Sequence, residues 1–264
     1  MFRRIMGYLR EPSKLYERLS IFIKMQFRYT DRDALYWKSL KGKYKGKRGF
    51  VIGNGPSLKI SDLELLSGEI TIASNKIYLA FEQTTWRPTF FTISDPLVWK
   101  KIKFDVKKYF EKVHISNYLD SNTDADIVYW RVLYRKGVNG FFSDTLEKGA
   151  YSGHTITFDN LQLAVHLGLN PIYLIGCDHY YEGEKISRTG KPIRQGTQNT
   201  HFIEGYRNEG ELVMPACLDK MENAYREAKK YSDTTTTKIY NASRGGHLEI
   251  FERIDFDQII KSTK

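Results

Sequence analysis

Cysteine is scarce in this sequence, with only Cys177 and Cys217 among 264 residues. Two cysteines cannot build the disulfide framework of a small secreted protein, and no His and Cys spacing typical of a zinc site occurs. Long apolar runs are also lacking, since none approaches the ~20 residues that a membrane-spanning helix needs. The start, MFRRIMGYLR, lacks the apolar segment of a secretory signal. These absences predict a cytoplasmic protein without a structural metal.

The body of the chain lacks an excess of charge of either sign. Residues 1–48 hold 14 basic and four acidic residues, which is the whole net charge of +10, and the remainder holds 27 of each. A nucleic-acid-binding protein is expected to carry basic excess on its folded body, so we predict no nucleic-acid partner. We divide the chain into a basic helical N-terminal extension, residues 1–47, and one domain, residues 48–264.

The extension has two predicted parts. Residues 12–28 place apolar side chains at helical spacing with basic residues between them, which predicts an amphipathic helix. This helix either packs on the domain or contacts an anionic membrane surface, which would place the protein peripherally on the inner face of the membrane. Lysines and glycines alternate over residues 41–48, which predicts a flexible linker.

Short apolar runs alternate with helical patterns through the domain. Strands are predicted at 49–52, 70–73, 89–93, 172–175 and 238–240, and helices at 100–110, 154–168 and 217–231. This alternation is typical of a Rossmann-like α/β fold, with a mainly parallel sheet and helices on both faces. Residues 182–200 are polar and lack periodicity, so we predict a lid-like insertion over 182–215.

Small or polar residues follow four of the predicted strands. The four segments are Gly53-Asn54-Gly55, Ser74-Asn75, Ser94-Asp95 and Gly176-Cys177-Asp178. Ligands of open parallel sheets bind beyond the carboxyl ends of the strands, so these four segments together predict a site. The first turn, Gly53-Asn54-Gly55-Pro56-Ser57, lacks the ending of a P-loop, but its glycines let backbone N–H groups approach a phosphate, and the Asn54 amide can donate to phosphate or ribose.

The same turn belongs to a wider pattern. FVIGNGPSL, followed by Ala73-Ser74-Asn75 and later by YSGHTITFDNLQLAVHLGLNPIYLIGCDHYY, resembles one known superfamily. It comprises the small bacterial sialyltransferases of glycosyltransferase family 42, the motility-accessory-factor proteins that glycosylate flagellin, and the archaeal-type 6-hydroxymethylpterin pyrophosphokinases. The resemblance covers residues 48–245 and is strongest over 50–58 and 151–181.

The resemblance implies a role for particular residues. The nucleotide-binding set would be Gly53, Asn54, Gly55, Pro56, Ser57, Asn75, Ser152, Gly153 and Asp178. Tyr180 would donate a hydrogen bond to the departing phosphate, and His201 would be the general base. An imidazole, which titrates near 6.5, suits proton transfer at neutral pH. The resemblance is ambiguous around His201, by a few residues, so His179 and Tyr206 are alternative bases.

The implied activity is that of an inverting glycosyltransferase of cell-surface polysaccharide synthesis. It would transfer a sialic-acid-like sugar from a CMP-sugar donor to a glycan or lipid-linked acceptor, and would need no cofactor. Asp95, a further catalytic candidate, departs from the sialyltransferase pattern, which has asparagine there. One rival is a Mg-ATP-dependent pyrophosphokinase of the 6-hydroxymethylpterin type, in which Asp95 and Asp178 would hold Mg²⁺. A non-catalytic nucleotide-binding scaffold and a homo-oligomer also remain open.

Overall fold

The computed structural model describes residues 28–117, 119, 124–133, 141–181, 192–196 and 200–262. The predicted amphipathic helix of residues 12–28 therefore lies, except for Arg28, outside the described residues, as does most of the polar stretch 182–200. In the described part of the chain, no helix is long and apolar enough to cross a membrane.

A seven-stranded parallel sheet forms the centre of the structure. Its strands are β1 (Gly49–Ile52), β2 (Ile70–Ser74), β3 (Phe90–Ile93), β4 (Val113–Ser116), β5 (Ile127–Trp130), β8 (Ile172–Ile175) and β11 (Ile239–Asn241). They lie in the order β11-β8-β1-β2-β3-β4-β5, and every neighbouring pair is parallel. Two short pairs stand apart: β6 (Val132–Leu133) with β7 (Ala150–Tyr151), and β9 (Ile193–Arg194) with β10 (Leu212–Val213).

Helices connect and cover the strands. They are α1 (Asp31–Leu40), α2 (Ile60–Leu65), a 3₁₀ segment (Asn75–Glu82), α3 (Pro96–Val106), α4 (Ile156–His166), α5 (Leu218–Thr234) and α6 (Phe256–Lys261). Strands β1, β3, β4 and β5 are buried at every residue, which requires that both faces of the sheet be covered. Helix α4 is buried along all but its first residue and packs against β1, β2 and β3. The predicted Rossmann-like α/β fold is confirmed.

The strand order reverses direction beside β1. The chain runs outward from β1 through β2, β3 and β4 to β5, and then returns to place β8 and β11 on the other side of β1. Parallel sheets leave a crevice where the order reverses, because the connections on either side lead away from each other. The boundary between β1 and β8 is therefore where a ligand site is expected.

The described part of the predicted extension belongs to the packed core. On α1, the fully buried Trp37 donates from Nε1 to the carbonyl of Tyr129 in β5 at 2.7 Å. The Tyr129 N–H in turn donates to Oδ1 of Asp33 at 3.1 Å. Helix α1 is thus held against β5 through both backbone groups of one strand residue.

The segment predicted as a flexible linker is instead ordered against the end of α4. The N–H groups of Gly42, Tyr44 and Gly46 donate to the carbonyls of residues 166, 167 and 168, each at 2.9 Å. The turns need glycine because Gly42 and Gly46 have φ of 67° and 75°. The alternating glycines therefore serve a folded turn rather than flexibility, and the linker prediction is wrong.

Candidate functional site

One cavity of about 410 Å³ lies beyond the carboxyl ends of β1, β2, β3 and β8. Its floor is formed by the segments that follow those strands, its side by the start of α4 and by α5, and its remaining wall by residues of the predicted lid. Phe202, next to His201 of that wall, donates from its N–H to the carbonyl of Asn54 at 3.2 Å, and this bond connects the wall to the floor. The cavity lies at the reversal of strand order.

The structure brings most of the predicted site residues together. Nine of them line the cavity: Gly53, Asn54, Gly55, Asn75, Asp95, Ser152, Asp178, Tyr180 and His201. Pro56, Ser57 and Gly153 are not among its lining residues. A Cβ on Gly153 would lie 2.5 Å from the ring of Phe158 and 2.7 Å from Cβ of Ala224, so that glycine allows α4 and α5 to pack closely.

The glycine turn after β1 does not present its N–H groups as the sequence predicts. The N–H of Gly53 donates to the carbonyl of Ile175, and that of Gly55 to the carbonyl of Gly176, each at 2.8 Å. A Cβ on Gly53 would lie 2.2 Å from the Gly176 carbonyl oxygen, and one on Gly55 would lie 2.0 Å from Oδ2 of Asp178. The glycines are therefore needed for close contact with the segment after β8, and these two N–H groups are already satisfied. The predicted reason for the glycines is corrected.

Asp178 links the same two segments. Its Oδ1 accepts from the Ser57 N–H at 3.2 Å, and its Oδ2 accepts from the Ser57 hydroxyl at 2.9 Å. Burial raises the pKa of the Asp178 carboxyl above its ordinary value, and the Ser57 hydrogen bonds partly oppose that rise. Ser57 thus contributes to the site by holding Asp178.

Asp95 begins helix α3. Its Oδ1 accepts from the N–H groups of Leu97 at 2.7 Å and Val98 at 3.2 Å, which is the bonding pattern of a helix N-cap. Burial raises the pKa of Asp95, while these N–H groups and the nearby Arg207 lower it. Asp95 therefore caps a helix as well as lining the cavity.

The two carboxylates do not form a ready magnesium site. Mg²⁺ prefers ionised oxygen ligands in octahedral geometry. Asp95 and Asp178 instead accept hydrogen bonds from their own surroundings, Asp95 from the first turn of α3 and Asp178 from Ser57. Across the described ranges, no group of three or more His, Cys, Asp or Glu residues is arranged to hold a metal. The residues present do not fit the Mg²⁺ that the pyrophosphokinase alternative needs.

Several buried polar atoms of the cavity have no hydrogen-bond partner among the described residues. They are Oδ1 of Asn54, Oγ of Ser74, Oδ1 of Asn75, and both ring nitrogens of His179. Buried polar groups are nearly always bonded in folded proteins, so a cluster of unpaired ones indicates a place where a ligand supplies the missing partners. Because Nδ2 of Asn54 already donates to the Ser74 carbonyl at 3.2 Å, its free atom is an acceptor, which suits a hydroxyl and not a phosphate.

His201 lies in a positively charged part of the cavity wall. Its ring stacks on Tyr206 with centroids 3.9 Å apart. Burial, together with the nearby cations Arg207 and Lys76, lowers the pKa of His201 to about 3. Lys76 donates to the Tyr206 carbonyl and forms an ion pair with Glu211 at 3.4 Å. The imidazole is therefore neutral, and its surroundings favour an anionic ligand.

Sequence reasoning missed several residues that line the cavity. Arg207 was not predicted because no family position marks it, yet it lines the cavity beside His201. Tyr225 and Met221 lie on α5, which the sequence predicts as a helix without a functional face. They lie four residues apart, and that spacing is the one signal that could have indicated a shared inward face.

Comparison with known proteins relates the chain to a glycosyltransferase by structure and to a pyrophosphokinase family by sequence. No curated protein matches the chain. Among solved structures, it is similar to a MAf glycosyltransferase from Magnetospirillum magneticum AMB-1, with 16% identity and a TM-score of 0.51. The match covers 88% of this chain and 40% of that one, so this chain spans less than half the length of that protein. At this identity the likeness concerns the fold.

A match at the level of sequence is more specific. The family model described as 6-hydroxymethylpterin diphosphokinase MptE-like matches residues 31–184. That range runs from the first residue of α1 through the strand-end segments after β1, β2, β3 and β8, and so includes the floor of the cavity. Because more than half of the sequence is matched, the chain belongs to the 6-hydroxymethylpterin diphosphokinase MptE-like family.

Proposed function

We propose that the protein is an inverting glycosyltransferase that transfers an acidic, sialic-acid-like sugar from a CMP-linked donor to a hydroxyl group of a glycan or lipid-linked acceptor. The observation that carries the proposal is one cavity that combines unpaired buried hydrogen-bond acceptors with a cationic wall and a pair of carboxylates unsuited to Mg²⁺. The fold shared with a glycosyltransferase supports it.

The unpaired acceptors match the nucleoside part of such a donor. Oδ1 of Asn54 and Oδ1 of Asn75 both lack donors among the described residues. The two ribose hydroxyls of a nucleotide are donors of the kind that these oxygens require. We therefore expect the ribose to lie between the segments that follow β1 and β2.

The cationic wall matches the acidic part of the donor. Arg207 lines the cavity, and Lys76 lies within 5.6 Å of the Tyr206 ring centroid on the same wall. A guanidinium binds carboxylate or phosphate through paired N–H groups, and the bond is strengthened by charge. Arg207 is thus the residue that we assign to the donor's negative charge.

Transfer needs a proton acceptor and a stabilised leaving group. The acceptor hydroxyl loses its proton as its oxygen attacks the anomeric carbon, and CMP leaves with the electrons of the broken C–O bond. Tyr180 lines the cavity, where its phenol can donate to the phosphate as negative charge grows there. The candidates for the base are His201, His179 and Tyr206.

Pyrophosphoryl transfer is the second candidate, and the description of the family favours it. That reaction would need Mg²⁺ close to Asp95 and Asp178, and the bonding of both carboxylates counts against it. A scaffold without activity, membrane contact through residues 1–48, and self-association remain hypotheses.

A thermal-shift panel separates these candidates. We expect CMP to raise the melting temperature with or without Mg²⁺, because the proposed contacts are to ribose and phosphate and need no metal. CDP, UDP, GDP and ATP serve as comparisons under both conditions. A shift given by ATP only when Mg²⁺ is present would overturn the proposal in favour of the pyrophosphokinase. Binding of CMP without transfer from any CMP-sugar would favour the scaffold.

A further inference from the structure

His179 occupies an unusual position at the edge of the cavity. It follows β8 directly after Asp178 and has a φ of 51°, in the left-handed region that is uncommon for residues other than glycine. Its side chain is only 7% exposed, and it lines the cavity. The backbone is thus held in a strained conformation that places a buried imidazole beside the site, and such strain often accompanies function.

The ring is oriented by its neighbours but is not hydrogen bonded by them. Tyr181 and Tyr225 contact it nearly at right angles, with centroids 6.0 Å and 5.9 Å away. Neither ring nitrogen has a hydrogen-bond partner among the described residues. Because Nε2 faces a Glu222 carboxylate oxygen at 3.5 Å, Nδ1 is the buried nitrogen that is expected to find its partner in a ligand. The same rings that bury the imidazole fix its orientation for that ligand.

Glu222, a residue of α5, lies beside the imidazole of His179. Its Oε1 lies 3.5 Å from Nε2 of His179, which is ion-pair distance. Its Oε2 lies 3.5 Å from Nη2 of Arg226. A base and the group that orients it are often this far apart before the substrate binds. A carboxylate beside Nε2 selects the tautomer that carries its proton there, which leaves Nδ1 as an acceptor.

We propose that His179 is the general base of the transfer reaction and that Glu222 is its positioning residue. This inference rests on the proposed glycosyltransferase activity. The O–H bond of the acceptor breaks and its proton passes to Nδ1 of His179, while the acceptor oxygen forms a bond with the anomeric carbon. The bond between that carbon and the phosphate oxygen breaks, and its electrons leave with CMP. Glu222 stabilises the resulting imidazolium, which then releases the proton to water.

The two other candidate bases are less suited to this role. His201 has a pKa lowered to about 3, because it is buried and faces Arg207 and Lys76, so it accepts a proton poorly. Burial raises the pKa of the Tyr206 phenol, which therefore stays protonated. Burial also lowers the pKa of His179, but Glu222 opposes that shift. The Glu222 carboxylate, 3.5 Å from Nε2, stabilises the charged form of His179.

The test compares kinetics of three variants with donor binding. His179→Asn keeps a residue that tolerates positive φ, and we expect kcat to fall by about 10²–10⁴-fold, with the Kd of CMP within about twofold of wild type. His201→Ala tests the rival candidate for the base, and we expect this variant to weaken donor binding more than it lowers kcat. His179→Gly, which also tolerates the backbone, should recover activity with added imidazole.

The pH profile tests the positioning role of Glu222. The groups around the His179 ring are Glu222, Arg226 and Tyr225 on α5, Tyr181 on its own segment, and His247 after β11. Glu222 raises the pKa of His179, so Glu222→Gln should move the acid limb of kcat/KM to lower pH while lowering kcat. A merely structural role would lower activity and leave that limb in place.

Each outcome decides the inference. Full turnover by a folded His179→Asn that binds CMP overturns it, as does loss of turnover confined to His201→Ala. Failure of imidazole rescue, together with lost CMP binding, assigns His179 to binding instead and also overturns it. The proposed function fails separately if wild-type protein transfers sugar from no CMP-sugar, and in that case both proposals fall.

Discussion

Gly53→Ala is expected to lower the free energy of unfolding by about 1–3 kcal/mol or more, the range for forcing extra atoms into a packed site, and to abolish nucleotide binding. The new Cβ would lie 2.2 Å from the Gly176 carbonyl oxygen and 2.7 Å from its carbonyl carbon. Both atoms are backbone, so no side-chain rotation relieves the contact. The segments after β1 and β8 must separate, and their separation opens the floor of the cavity.

Chemical denaturation with and without CMP measures this effect. Gly196→Ala is the matched control, because a Cβ there meets no heavy atom within 4 Å, and we expect a change within about 0.5 kcal/mol. A Gly53→Ala protein as stable as wild type that has still lost nucleotide affinity would restore the phosphate-contact role predicted from the sequence. Unchanged stability and unchanged affinity would contradict both explanations.

Arg207→Gln is expected to weaken binding of an acidic CMP-sugar donor by about 10- to 150-fold. A hydrogen bond to a charged group contributes about 1.5–3 kcal/mol, and each 1.4 kcal/mol is about tenfold in affinity. Arg207 lines the cavity and lowers the pKa of both His201 and Asp95, so its charge acts where the donor is proposed to lie. Arg207→Lys keeps the charge and should lose less affinity.

Calorimetry with two ligands shows which anion Arg207 binds. If it binds the sugar carboxylate, Arg207→Gln loses affinity for the intact donor and keeps its affinity for CMP. If it binds the phosphate, both ligands lose affinity together. An NMR titration of His201 without ligand is a control for the loss of charge. Arg207 lowers the pKa of His201, so Arg207→Gln should raise that pKa. Unchanged donor affinity with that rise present would remove Arg207 from the donor site.

The parts of the fold that the sequence predicts are those with strong local patterns. Strand β1 and strand β8 are continuous apolar runs that end in glycine, and both were predicted with the bounds that the structure has. Strand β5 is as short as β1 and β8 but is not predicted, since no glycine follows it to mark its end. Helix α1 is counted with the extension because residues 1–48 together carry the net charge of +10, although α1 itself holds two basic and two acidic residues. Its burial depends on Trp37, whose distant partner Tyr129 no local pattern shows.

The sequence predicts that the candidate site residues lie together, but it does not predict which of their polar atoms are free. Strand ends in a parallel sheet fix where Asn54, Asn75 and Asp178 lie, so their convergence follows from the fold. Which atoms remain free depends on hydrogen bonds between segments far apart in sequence, such as that of Ser57 with Asp178, 121 residues away. Sequence spacing carries no information about such bonds, and for that reason the roles of the glycines and of Asp95 required the structure.

The cavity is built from two separate parts of the chain. The matched family range, residues 31–184, supplies the floor, whereas residues 200–225 supply Arg207 and the α5 side. Gly246 packs against the segment after β8, since a Cβ there would lie 2.1 Å from the Asp178 carbonyl oxygen. Exchange of residues 200–225 would therefore change the wall that holds Arg207 and the α5 side of the cavity, and would keep the segments of the floor. Fragments that stop before Gly246 lose the packing of Gly246 and the His247 N–H hydrogen bond on the Asp178 backbone, and are poor starting points for such exchange.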